Sequence, residues 1–312
     1  MSGLVVTSPG FLTTVQDLGR PGHADLGVSA SGAADPIALR IGNRLVGNPP
    51  TAAALEMTLT GGTFRFDADT VIALTGADAG AEASHRRLAP WRAHVVAAGE
   101  TIACGPIANG ARAYLCVRGG FDVPPVLGSR STHLVTSLGG LAGRALVAGD
   151  RLSFHGEPAA DPFPRRVDPE AFIPGYRRDE PFRVVDGPQA DWFAASLRAR
   201  FLDAEWRVSE AADRMGLRLT GPPVAQERPR ELVSEGVCLG AIQVPSSGSP
   251  IVLFVEHQTT GGYPKIANVI AADLARLGRL RPRDPLRFEE TTIAQAHRLL
   301  RAQEEALSAL FA

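Results

Sequence analysis

Up to Pro285, glycine and proline interrupt this chain so often that few long elements fit between them. There are 33 Gly and 24 Pro in 312 residues. The runs that survive are short and rich in Val, Ile, Leu, Phe and Thr. They lie at 4–7, 63–66, 70–74, 94–97, 113–117, 151–154, 182–185, 207–208, 216–219, 251–255 and 286–288. Many short strands at this spacing predict a mainly β chain of barrel or sandwich type with some α-helix. Asp35 before Pro36 supplies an N-cap and first-turn pair, which predicts a helix over 35–45. Helices are also expected over 190–201, over 265–277 and over 291–310. The last carries Ile293, Ala296, Leu299, Leu300, Leu307 and Leu310 on one stripe and reads as an amphipathic terminal helix.

The two halves match in order. Val5-Val6-Thr7-Ser8-Pro9 compares with Val184-Val185-Asp186-Gly187-Pro188, and Leu59-Thr60-Gly61 with Leu219-Thr220-Gly221. Gly110 to Val117 with Gly119-Gly120-Phe121 compares with Gly248 to Val255 with Gly261-Gly262-Tyr263. Gly143-Arg144 leading to Asp150, Leu152 and Phe154 compares with Gly278-Arg279 leading to Asp284, Leu286 and Phe288. An internal duplication is therefore expected: a first domain over 1–160, a linker over 161–181, a second domain over 182–290 and the terminal helix over 291–312.

Thirty-two basic against 33 acidic side chains leave no basic surface of the kind nucleic acids require. No apolar run reaches the length of a membrane span, and the first residues lack a signal-type core. Three unpatterned cysteines, Cys104, Cys116 and Cys238, suit buried inert thiols in a reducing compartment. The expectation is a cytoplasmic protein with neither nucleic acid nor membrane as partner. No paired-His pattern, phosphate-binding P-loop or Gly-x-Ser-x-Gly elbow occurs, so no metal site is expected.

Of the 32 basic residues only one, Lys265, is a lysine. It ends the densest polar cluster, Glu256-His257-Gln258-Thr259-Thr260-Gly261-Gly262-Tyr263-Pro264-Lys265. Lysine is a compact point charge that neutralises phosphate, carboxylate or oxyanion where a planar guanidinium does not fit. A plain strand–turn–helix corner with a surface lysine is the bland alternative. A second cluster contains Gln16, Asp17, Arg20 and Ser31 among glycines. It suits a small polar ligand, or equally a loop that satisfies its own backbone and caps the helix at Asp35. Arg118, before Gly119-Gly120, suits an anionic group or a solvated turn. The segment 213–216 reads as a structural ion pair or turn, and Glu235 as a weakly supported acid or base.

These clusters carry a resemblance. Thr13 to Gly22, Asn43 to Asn48, Arg118-Gly119-Gly120 and Val126 to Thr132 resemble the biotin-dependent carboxyltransferase family, also called allophanate hydrolase subunit 2 or KipA-like. So do Gly187-Pro188-Gln189, Ser234-Glu235-Gly236, Gly240 to Pro245 and Gln258 to Ile266. The resemblance implies two cyclophilin-like β-barrel domains. It also implies membership of the group that serves as the C component of bacterial ATP-dependent 5-oxoprolinase, beside a KipI-like B component and a LamB/YcsF-like A component. ATP with Mg would then be a co-substrate of the complex, opening the lactam of 5-oxoproline to glutamate. Lys265, Tyr263, Gln258 and His257 are the expected catalytic residues. Gln16, Asp17, Arg20, Ser31, Arg118, Thr259, Thr260, Gly261 and Gly262 are the expected substrate-binding ones. The family's alternatives are biotin-dependent carboxyl transfer to urea or a related amide, and a non-catalytic antagonist of a KipI-like kinase inhibitor. The chain departs from the family pattern at Ser29-Ala30 and at Glu256-His257.

Overall fold

The computed structural model describes residues 2–154, 166–177, 179–225 and 230–310. Residues 155–165 and 178, at the expected domain junction and linker, lie outside the described residues, as do 311 and 312 of the expected terminal helix. The chain forms two compact units. One contains Met1–Arg20 and Ser31–Pro169; the other contains Pro21–Ala30 and Glu170–Leu310.

The first unit stacks two sheets. A seven-stranded sheet has Gly3–Ser8 between Arg151–Phe154 and Thr63–Phe66. A five-stranded sheet has Ala108–Val117 between Ala54–Thr58 and Thr70–Asp78. Leu4, Val6, Phe64 and Phe66 of the first meet Leu55, Met57, Leu115 and Val117 of the second in one buried core. The helix Pro36–Leu45 packs on strands Thr70–Asp78 and Ala108–Val117. Asp35 caps it by accepting from the Ala38 N–H at 3.0 Å, with Pro36 in the first turn, as the sequence predicts.

The second unit is a near-closed barrel. Its eight strands run Pro285–Leu286, Trp206–Val208, Gly216–Thr220, Ile251–Leu253, Ala241–Gln243, Lys265–Val269, Phe182–Asp186, Phe288–Glu290. The first and last of these are consecutive in the chain, separated only by Arg287, so one segment bends across the seam and serves both edges. Phe201 stacks on Phe288 at 4.8 Å between ring centroids, beside the buried Trp206. Of the segments matched between the halves, Val5 to Ser8 and Val184 to Asp186 lie on strands, whereas Leu59-Thr60-Gly61, Gly143-Arg144 and Gly278-Arg279 do not. The two strands pair differently: Gly3–Ser8 runs antiparallel to Arg151–Phe154, whereas Phe182–Asp186 runs parallel to Phe288–Glu290.

Four expectations are corrected. The helix expected over 190–201 is broken at extended Phe193: Ala190–Trp192 is a short helical turn and the helix proper is Ala195–Asp203. Residues 265–277 are not one helix: Lys265–Val269 is a strand, followed by the short helical turns Ala271–Asp273 and Leu274–Leu277. β-branched Ile266 and Val269 and pairing on both sides outweigh the local helical pattern. The terminal helix is Ile293–Ala309, capped by a Thr292/Gln295 box, but Ile293 is exposed. The buried stripe is completed instead by Gln303, whose amide donates to the Pro174 and Ala272 carbonyls at 3.0 Å. Cys104 and Cys116 are buried, and burial pushes the Cys104 thiol up to about 12. Cys238, however, is exposed. No helix among the described residues is long and apolar enough to cross a membrane.

Asp273 holds the second unit together from inside. It is fully buried and accepts from the Arg183 backbone N–H (2.8 Å) and Nε (3.0 Å), with the buried Arg276 Nη1 3.5 Å away. Asp273→Ala strands a buried cation. Urea unfolding is expected to show a loss of about 3–5 kcal/mol; a loss below about 1 kcal/mol would mean that solvent replaces the carboxylate.

Candidate functional site

In the second unit, four strands align a row of side chains on one face. Arg218 is in register with Ile251, Ile251 with Gln243, and Gln243 with Lys265. Three strand spacings of about 4.8 Å put the Arg218 and Lys265 backbones roughly 14 Å apart. The register depends on a β-bulge. Ala241 and Ile242 pair with Asn268 and Ala267, but Gln243 skips Ile266 and faces Lys265. Such a bulge re-aims one side chain, here Lys265, to the face that carries Gln243.

Lys265 is only 2% exposed. Its Nζ lies 2.5 Å from Glu235 Oε1. Glu235 also accepts from Gln189 Nε2 at 2.8 Å, and Gln189 Oε1 accepts from the Lys265 backbone N–H at 3.1 Å. The ammonium and the Gln189 amide hold the Glu235 carboxyl below its ordinary range. Glu235 reaches this position because Glu235–Gly236 pairs with Thr260–Gly261 as a two-stranded ribbon. The Gln-Thr-Thr-Gly-Gly motif thus serves as scaffold for the lysine's counter-ion. Thr260, Gly262 and Tyr263 are exposed, and Thr259 and Gly261 are half-buried.

The base of the loop is fixed by a buried pair. Arg214 Nε lies 2.5 Å from Glu256 Oε1, and the Glu256 N–H donates to the Arg214 carbonyl at 2.8 Å. Within the segment 213–216, Asp213 accepts from the Met215 and Gly216 N–H groups in a turn, while Arg214 finds its ion-pair partner outside the segment, in Glu256. His257 Nδ1 lies 2.6 Å from the Gln258 carbonyl. A carbonyl only accepts, so Nδ1 carries the ring proton. Burial pushes the His257 imidazole below its usual value. Gln258 Nε2 donates to Gln243 Oε1 at 3.3 Å. Gln243, Gln258, Tyr263, Arg218 and Met215 line a cleft of about 490 Å³.

In the first unit, Asp17 ties down a loop. Its carboxylate accepts from Ser129 Oγ (2.6 Å), Ser131 Oγ (2.5 Å), the Arg130 N–H (2.6 Å) and the Gly19 N–H (2.8 Å). Arg20 is buried and donates to the Val126 and Ser131 carbonyls. Ser31 adopts φ 54° and donates to the Thr132 carbonyl at 2.9 Å. Gly32, at φ +93°, approaches so closely that a β-carbon would stand 2.8 Å from the Gly19 nitrogen. Gln16 is fully buried, with Nε2 on Thr14 Oγ1 and the Thr132 carbonyl, both at 3.0 Å. Its Oε1 has no partner among the described residues, and neither does Arg118 Nε. Asp17, Arg20 and Ser31 thus hold the segment 126–132 in place, while Gln16 and Arg118 keep polar atoms to spare.

Gln189 and Gln243 are the site residues that motif reading passes over. Both lie inside segments that carry the family resemblance, but a lone glutamine after a strand has no chemical signature of its own.

The sequence matches the carboxyltransferase domain, subdomains A and B, over residues 26–290. It is 40% identical over 295 residues to the C component of 5-oxoprolinase from Escherichia coli K12, covering 94% of this chain and 93% of that one. It is 38% identical to the C component of 5-oxoprolinase from Haemophilus influenzae, covering 93% and 92%. The crystal structure of the K. lactis urea amidolyase superposes with a TM-score of 0.91 at 31% identity, over 98% of this chain but only 20% of that protein.

Two tests follow from the geometry. Asp17→Ala removes the acceptor of four donors and is expected to lower the thermal midpoint; an unchanged midpoint would mean that the loop holds itself. His257 has a depressed folded value, so protonation favours the unfolded chain. Its contribution to stability is complete above its ordinary value of 6.5 and falls as pH drops below it. His257→Gln is expected to flatten the pH profile of urea unfolding in that window; identical slopes would refute the assignment. The chain belongs to the carboxyltransferase-domain family.

Proposed function

We propose that this chain is the C component of an ATP-dependent 5-oxoprolinase, which opens the lactam of 5-oxoproline to glutamate. The observation that carries the reading is a buried Lys265 ammonium paired with Glu235 in a chain 38–40% identical to two proteins named as that component of 5-oxoprolinase. A KipI-like B component and a LamB/YcsF-like A component are the proposed partners, in the cytoplasm, with ATP and Mg as co-substrate.

A lactam is a stable amide, and opening it at neutral pH requires activation. The γ-phosphoryl group of ATP transfers to the lactam oxygen, releasing ADP. Water adds to the activated carbon, giving up its protons as it does so. The C–N bond breaks, the nitrogen takes a proton to become the amine, and a second water cleaves the resulting acyl phosphate to the carboxylate and inorganic phosphate. Lys265 opposes the negative charge on the lactam oxygen and on the phosphoryl group in flight. Glu235 and Gln189 hold that ammonium in place. Tyr263 borders the cleft, and Gln258 orients its wall.

Lys265→Arg in the reconstituted complex is expected to lower 5-oxoproline-dependent ATP hydrolysis by about 10²-fold. Full activity of that variant would overturn the assignment of Lys265. A second reading, biotin-dependent carboxyl transfer to urea, is favoured by the likeness to the K. lactis urea amidolyase. Avidin separates the two: it leaves 5-oxoproline-dependent hydrolysis untouched and abolishes carboxyl transfer.

A further inference from the structure

The reaction just described leaves one buried side chain without a task. Gln243 is 1% exposed, lines the cleft and stands in register beside Lys265. Its Oε1 accepts from Gln258 Nε2 at 3.3 Å, which leaves Nε2 as the other end of the amide. Gln243 Nε2 is buried and has no acceptor among the described residues. Lys265 Nζ has three protons, of which the Glu235 carboxylate, 2.5 Å away, takes one. The ammonium has no other acceptor among the described residues. Buried donors of this kind are rare in folded chains, because water would otherwise satisfy them.

The surroundings keep this gap open. A β-carbon at Gly261 would stand 2.6 Å from Gln243 Nε2 and 3.4 Å from Gln258 Nε2. Glycine at 261 therefore leaves the amide room. The β-bulge at Ile266 turns Lys265 onto the face of Gln243. Two adjacent buried donors on one face, one neutral and one cationic, select a single acceptor on which negative charge grows.

We infer that Gln243 Nε2 and Lys265 Nζ form a two-donor seat for the carbonyl oxygen of a small amide, with Gln258 as the positioning residue of the seat. The body of the amide then lies in the cleft beside Tyr263. The inference rests on the proposed lactam chemistry for the identity of the amide, but not for the existence of the seat.

Lys265 is the only lysine, so protein labelled with ¹⁵N-lysine gives one lysine backbone amide signal, which reports on this site alone. The signal is followed during titration with 5-oxoproline and, separately, with urea, for the chain alone and beside its partner proteins. Wild-type protein is expected to respond to 5-oxoproline. Gln243→Met keeps the length of the side chain and removes both donors. It is expected to bind about tenfold more weakly without a lower thermal midpoint, an outcome that a purely structural glutamine would not give. Gln258→Met leaves every atom of the seat in place and is expected to weaken binding by a smaller factor. Equal affinity in wild type and Gln243→Met overturns the seat, as does a signal that responds to neither amide in either preparation. A response to urea alone that Gln243→Met loses upholds the seat and overturns 5-oxoproline as the substrate.

Discussion

The buried ammonium of Lys265 is the constraint around which the second unit is arranged. Removing an ion from water costs several kcal/mol even after relaxation, and Lys265 is 2% exposed. Glu235 offsets that cost only if its carboxylate is held against Nζ. The ribbon between Glu235–Gly236 and Thr260–Gly261 brings it there, and Gln189 fixes its oxygen. Gln189 in turn accepts from the Lys265 backbone, so the counter-ion and the strand start are locked to each other. Farther back, the Arg214–Glu256 pair anchors the loop that supplies the ribbon. Arginine meets this charge requirement elsewhere in the chain. At position 265 the compact ammonium meets a single carboxylate oxygen, a geometry that suits a point charge rather than a planar fork.

Much of this was legible in the residues. The Asp35–Pro36 pair announced the helix that follows because capping is local chemistry. The lone lysine and its Gln-Thr-Thr-Gly-Gly-Tyr-Pro context singled out the loop whose ribbon carries Glu235 to the ammonium. What the sequence could not reveal was non-local. The strand at Lys265–Val269 looks helical until its two neighbours pair with it, and those lie some twenty and eighty residues upstream. The bulge at Ile266 exists only as a relation between two strands. Glu235 lacked a visible partner because nothing in Ser234-Glu235-Gly236 says which cation it meets. Ile293 falls on the apolar stripe of its helix by spacing but lies past the end of the surface that the helix covers, whereas Gln303 is buried by two specific carbonyls.

Polar clusters that look alike in sequence divide into two kinds once hydrogen bonds are assigned. Asp17 is saturated: four donors converge on its two oxygens, three of them from a loop more than a hundred residues away in the chain. A saturated carboxylate specifies backbone geometry and has little left for a ligand. Gln16, its immediate neighbour, has satisfied donors and an idle buried oxygen. Gln243 is the converse, with a satisfied oxygen and an idle nitrogen. One-letter spacing does not separate these cases, since each is simply a polar residue at the end of a strand.

The idle atoms matter because catalysis depends on the difference between ground state and transition state. A donor already satisfied in the resting protein must break a hydrogen bond before it can help a substrate, and that exchange cancels most of the gain. A buried donor with no acceptor has already borne its desolvation cost during folding. An oxygen that arrives and gathers negative charge then gains the full strength of the interaction in a water-poor site. The barrel meets that folding cost through its own closure at Arg287 and the Asp273 cluster, which lie on elements that contribute nothing to the cleft. The stability of the second unit and the unsatisfied state of its site are thus separate properties, carried by different residues.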